Sequence, residues 1–199
     1  MQGIAIYDKE IAPSGEIIYR HYRPLVVNEI ENISLIINYV ESVLNTLNVE
    51  YGFTHNEVFW DKKESFSLVE SNTRMAGGGI TDAYLNCYGY TPLHSFLELA
   101  KGKKSIVNAP IKRIGYSLCM HIYNFFVDKP ASINLEGINS FQSIISFYQD
   151  KKAPIDFKKY TRADHIAATL LLNNNNFDRL NDDIKEIKRR EQSGELFVN

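Results

Sequence analysis

The chain has 199 residues, room for one domain of ordinary size, and 44% hydrophobic with 23% charged residues excludes a disordered tail protein. Lys and Arg total 22 against 24 Asp and Glu, a net charge of -2, so no basic excess exists to hold nucleic acid. No apolar run approaches the ~18 residues of a membrane span, no basic-then-apolar leader opens the chain, and Cys87 and Cys119 read as reduced thiols of a cytoplasmic protein.

Ile4, Ile6 and the run Glu16–Arg20 predict two strands around a turn at Ala12-Pro13-Ser14-Gly15, with Pro24 closing the second. Asn32 or Ser34 is a suitable N-cap for a helix over Leu35–Leu47, where Ile36, Ile37, Val40, Val43, Leu44 and Leu47 share one face. A hairpin follows, Gly52–Trp60 and Phe66–Asn72, around the charged turn Asp61–Ser65. Beyond Gly77-Gly78-Gly79, two short helices are expected over Ile80–Cys87 and Pro92–Ala100, with Gly89 stopping the first. A composition shift at Lys101–Lys104 suggests a boundary, giving units 1–104 and 105–199. Beyond it, Ile114–Val127, Ser132–Ile138 and Asp164–Leu172 read as strands, with a mixed stretch at Ser143–Tyr148. Asn173–Asn176 reads as a turn, Phe177–Arg190 as a helix, and the residues after Glu191 as a frayed tail.

The hairpin carries the chemistry. If it closes on Lys63-Glu64, paired residue numbers sum to 127. Glu57 then faces Glu70, His55 faces Asn72 and Phe59 faces Leu68, while Val58, Trp60 and Val69 form the core face. Directly opposed carboxylates stand about 5 Å apart at their roots and repel unless something positive lies between them. A divalent cation resolves this, with Glu57, Glu70 and the Asn72 amide oxygen as its shell; an exposed acid pair on a solvated face is the alternative. Arg74 continues the alternation and offers a planar donor fork. The three glycines before a helix present backbone N–H groups to an anion, or else form a tight turn packing helix on sheet. His55, on the face of Asn72, could orient a substrate. His21, His94, His121 and His165 have no zinc spacing.

The string Gly52-Phe-Thr-His55-Asn-Glu57, a turn, then Ser67-Leu-Val-Glu70-Ser-Asn72-Thr-Arg74-Met-Ala-Gly-Gly-Gly resembles the C-terminal metal-binding core of ATP-grasp enzymes. It looks most like the carboxylate–amine ligase branch with its L-amino acid ligases and biotin carboxylase-like relatives. The resemblance implies an α+β fold: the C-terminal half of an ATP-grasp fold, an antiparallel sheet with flanking helices, followed by a small α+β lobe. It implies ATP and Mg²⁺ (or Mn²⁺) as cofactors and Glu57, Glu70 and Asn72 as metal ligands. His55, Asn72, Gly77 and Gly78 would face the nucleotide phosphates or substrate, and Arg74 would act in catalysis. The activity implied is amide or peptide bond formation between a carboxylate and an amine through an acyl phosphate. The phosphate-binding lysines and the adenine hinge of the family are not found here, so the chain is expected to be a C-terminal fragment or one piece of a split enzyme. It would then be inactive alone, with the N-terminal half as its partner and an apolar flank open to self-association. A non-catalytic regulatory or assembly module on the same fold is the rival reading.

Overall fold

The computed structural model describes residues 4–13, 15–25, 29–50, 52–61, 65–103, 112–125, 132–149 and 166–198. Alternating residues make β1 (Ile4–Ile11) and β2 (Ile17–Leu25) an antiparallel hairpin. Its connection is closed by backbone bonds from Ala12 to Glu16 and from Gly15 to Ala12, both 2.8 Å, with Gly15 at φ 88°. The register slips between Asp8 and Lys9, so that Arg20 is left without an opposite residue. A bulge of this kind re-aims the extra side chain.

Helix α1 (Ile33–Thr46) begins one residue after Asn32. Asn32 takes the N-cap position in the left-handed region at φ 56°, without a side-chain capping bond. None of its residues is fully buried, and Tyr39 stacks on Phe66, ring centroids 5.5 Å apart. The hairpin of β3 (His55–Trp60) and β4 (Phe66–Asn72) forms its own two-stranded sheet. Helix α2 (Ile80–Tyr88) ends on Gly89 at φ 65°, as the stop signal predicted. Helix α3 (Pro92–Ala100) opens on a capping box of Thr91 and His94 with Pro92 in its first turn.

The main sheet, in order β1-β2-β5-β8-β7, adds β5 (Tyr116–Ile122), β7 (Ile144–Tyr148) and β8 (Ala168–Asn174), antiparallel throughout. Strands from both sides of the expected boundary near Lys104 therefore share one sheet. One face carries α2: Tyr22, Ile80, Ala83, Tyr84, Cys87 and Cys119 pack there. The other carries α5 (Phe177–Ser193), whose Leu180, Ile184 and Ile187 meet Leu118, Met120, Ile122, Leu170 and Leu172. Both cysteines are free and buried.

Three expectations for the C-terminal part are corrected. Ser132–Ile138 is not one strand: only Ser132–Ile133 (β6) is extended, and Leu135–Asn139 is a short helix, α4. Asn134 breaks the run by accepting a bond from the Gly137 N–H, 3.0 Å, which starts a helix. Asn173 and Asn174 extend β8 rather than turn, and Asn176 caps α5. The residues after Glu191 are no frayed tail. Helix α5 continues to Ser193, Gly194 ends it at φ 83°, and β9 (Phe197–Val198) pairs with β6, with Leu196 and Phe197 buried. Apolar Leu196 and Phe197 find burial that a solvated tail would deny them.

A buried ion pair ties α5 to the bulge in β2. The Arg20 guanidinium donates to both carboxylate oxygens of Glu191 at 2.8 and 2.7 Å, and its Nε donates to Glu10 at 2.8 Å. Glu191 also accepts from the Tyr123 N–H at 2.6 Å, and the Tyr123 and Phe125 rings lie against the guanidinium. No described helix is long and apolar enough to cross a membrane.

A candidate cation and anion site on the second hairpin

The predicted pairing holds at the open end of the second hairpin. His55 faces Asn72 and Glu57 faces Glu70. One ligand atom each of His55, Glu57 and Glu70 lie within 4.8 Å of one another, with His55 Nε2 3.9 Å from Glu57 Oε1. The Asn72 amide nitrogen donates to Glu70 Oε1 at 2.7 Å. Half a rotation of that amide would present its oxygen instead.

Closer to the turn the register departs from expectation. A bulge after Glu57 leaves Val69 unopposed, so Val58 faces Leu68 and Phe59 faces Ser67. Pairs beside the turn sum to 126 rather than 127, and the extra residue at the bulge restores the expected pairing at the open end. Val69 is accordingly 57% exposed and does not belong to a core face. The tip, Lys62–Glu64, lies outside the described residues.

Arg74 stands beyond the last paired residue, in a bend, exposed, and donates to the Met75 carbonyl at 3.0 Å. The alternation predicted for it ends with β4 at Asn72. Gly77 has open space around it, whereas Gly78 and Gly79 take φ 74° and 82°, a region that only glycine enters without strain. Gly79 is the N-cap of α2 and supplies no side-chain cap, so the helix opens on backbone N–H groups alone.

Tyr7, beside the acid pair, and Tyr22, beside this loop, belong to a row of rings that sequence reading missed. Tyr7 meets Tyr22 at 5.2 Å, and Tyr22 meets His121 at 5.6 Å. Burial raises the Tyr7 phenol pKa, and the charge of Glu57 adds to it. The signal lay in register: Tyr7 and Tyr22 are cross-strand partners, so they share one face. Burial pushes the His121 imidazole down to about 4, helped by the Arg20 charge. Its Nδ1 pairs with Thr169 Oγ1 at 3.0 Å. An imidazole whose pKa falls on folding supports stability above its unfolded value near 6.5. That support is lost as pH falls from about 6.5 toward about 4, with about 3 kcal/mol at stake. His121→Asn is expected to flatten the acid limb of the melting-temperature profile in that window. An unchanged limb would refute the buried neutral imidazole.

No protein-family model and no curated protein matches the sequence. Solved structures do match in fold. An L-amino acid ligase from Bacillus licheniformis superposes with TM-score 0.66 at 13% identity, over 95% of this chain and 51% of that one. N5-carboxyaminoimidazole synthetase from Staphylococcus aureus, complexed with ADP, gives 0.53 at 11% identity, over 96% and 51%. Biotin carboxylase from Campylobacter jejuni, in a β-γ-ATP complex, gives 0.50 at 14% identity, over 100% and 46%. The fold is that of half of an ATP-grasp fold. The chain spans about half the length of these ATP-grasp ligases, in keeping with the C-terminal half that the motif implies.

The donors of this site suit a hard divalent cation. Two opposed carboxylates and an amide are hard oxygen ligands, and His55 adds a nitrogen whose ring partner, Nδ1, is buried without a hydrogen bond. The other described histidines have separate employment. His21 Nε2 pairs with Asp8 at 2.8 Å and His94 completes the cap of α3. His165 lies outside the described residues. A cavity of about 530 Å³ opens on the opposite, α5 face of the sheet, lined by Asp8, His21, Arg23, Arg113, Phe177 and Ile184.

Proposed function

We propose that this chain supplies the cation- and phosphate-binding end of an ATP-dependent carboxylate–amine ligase. The observation that carries the reading is the opposed Glu57–Glu70 pair with Asn72 bonded to it, next to a glycine loop that opens a helix. A pure scaffold has no reason to oppose two acids. The reaction proposed is phosphorylation of a carboxylate by ATP, releasing ADP, followed by attack of an amine on the acyl phosphate, releasing phosphate and leaving an amide.

A bound Mg²⁺ or Mn²⁺ would neutralise charge on the transferring phosphoryl group. Glu57, Glu70 and Asn72 would hold it, with His55 beside the Glu57 carboxylate to orient it. The N–H groups behind Gly77 and Gly78 cradle an anionic oxygen, and Arg74 offers two parallel donors to phosphate or carboxylate. Catalysis is then positioning and charge stabilisation. The remaining half of the fold is the proposed partner, and exposed Phe59, Val69, Phe96 and Leu97 give it apolar surface to cover. Two free, buried cysteines are in keeping with the reducing cytoplasm as its compartment.

Titration of the chain with Mn²⁺ tests the reading. Binding is expected to be weak, since nucleotide phosphates normally complete the shell, and Glu70→Gln is expected to weaken it about tenfold or more. Equal affinity in the two proteins would remove Glu70 from the ligand set.

A further inference from the structure

Tyr22 lies in the middle of the sheet, 3% exposed, and its hydroxyl has no oxygen or nitrogen partner and meets the weak Cys119 thiol instead. Buried polar groups are rarely left so. What the phenol faces is the glycine loop. A Cβ built on Gly78 would stand 2.8 Å from Tyr22 Oη, and one built on Gly79 would stand 3.1 Å from Cys119 Sγ and 4.0 Å from the same Oη. The loop therefore rests on Tyr22 and Cys119 through its backbone, at an approach only glycine allows. On its other side the Tyr22 ring leans on Tyr7, which lies within reach of the Glu57 and Glu70 charges. Tyr22 thus stands as a strut between the acid pair and the loop.

We propose that Tyr22 is a positioning residue for the anion. When a phosphate or carboxylate is drawn to the start of α2, the loop settles onto the phenol, which donates to loop backbone. The Gly78 and Gly79 N–H groups are then fixed where one phosphate can touch both the loop and a cation held by Glu57 and Glu70. The inference rests on the functional reading above, but it concerns the coupling of the two subsites rather than the cation subsite itself.

The test measures Mn²⁺ affinity of the chain with and without inorganic phosphate, alongside a thermal melt. In the wild type, phosphate is expected to tighten Mn²⁺ binding about fivefold or more. Tyr22→Phe removes one oxygen and keeps the ring. It is expected to leave phosphate-free Mn²⁺ affinity and melting temperature nearly unchanged while phosphate coupling disappears. A merely structural tyrosine would shift the melt and leave the coupling alone. Gly78→Ala pushes the exposed loop off an intact Tyr22, so it too should lose coupling, and it decides the matter should Tyr22→Phe fail to fold. Full coupling in a folded Tyr22→Phe protein, or in Gly78→Ala when that variant decides, overturns the proposal. So does wild-type Mn²⁺ binding that phosphate does not affect. Mn²⁺ binding that is absent, or equal in Glu70→Gln, overturns the cation site first and the Tyr22 role with it.

Discussion

Replacing Glu191 with alanine is expected to destabilise the fold by about 3–5 kcal/mol, the cost of stranding a buried charge. Arg20 is 2% exposed and Glu191 is fully buried. Without the carboxylate, Arg20 keeps only its Glu10 bond and the His121 carbonyl, and the Tyr123 N–H loses its acceptor. A loss of this size takes a large part of a domain's usual 5–15 kcal/mol. The double variant Arg20→Met with Glu191→Leu removes both charges and should recover most of the loss, since apolar isosteres often match a buried pair. Denaturant melts of the three proteins check this. A Glu191→Ala protein as stable as wild type would show that the pair contributes nothing.

The second large effect concerns turnover. In the proposed ligase, completed by the proposed other half, Arg74→Lys is expected to lower ATP-dependent ADP release by the equivalent of about 3 kcal/mol, as loss of an oxyanion donor does. Lysine keeps the charge but loses the planar fork. Arg74 is exposed, and its bond to the neighbouring Met75 carbonyl carries little stability. The melting temperature should therefore stay within the range of a surface substitution, about 0–1 kcal/mol. Near-normal turnover with a lowered melting temperature would return Arg74 to a structural role.

How much of this was legible in the sequence depends on how local the cause is. Glu57 pairs with Glu70 and His55 with Asn72 as expected, but only because the bulge offsets a one-residue difference beside the turn, where paired numbers sum to 126 rather than 127. The bulge that unseats Val69 was not legible, since nothing in Ser67-Leu68-Val69 marks an extra residue. Helix α2 announced itself by Gly79 and Gly89 at its two ends. Helix α4 did not: Ile133, Leu135 and Ile138 suit a short strand as well as one helical turn, and the Asn134 cap decided. The sheet order joins β2 to β5 across the whole middle of the chain, a long-range choice that local pattern does not specify. The Arg20–Glu191 pair did leave a trace. Glu191 falls in step with Leu180, Ile184 and Ile187, so an acid sits on the apolar stripe of α5.

The ionic clasp between β2 and α5 also bears on the order of assembly. Arg20 and Glu191 are 171 residues apart. On a chain emerging from the ribosome, the β1–β2 hairpin is made before α5, with only Glu10 of its own strands to pair with Arg20. The sheet can close over that arginine only when helix α5, 171 residues further along, docks. Such distant closure makes for slow folding. Until it happens, Arg20 has Glu10 as its only carboxylate partner on the hairpin, and its guanidinium still needs water.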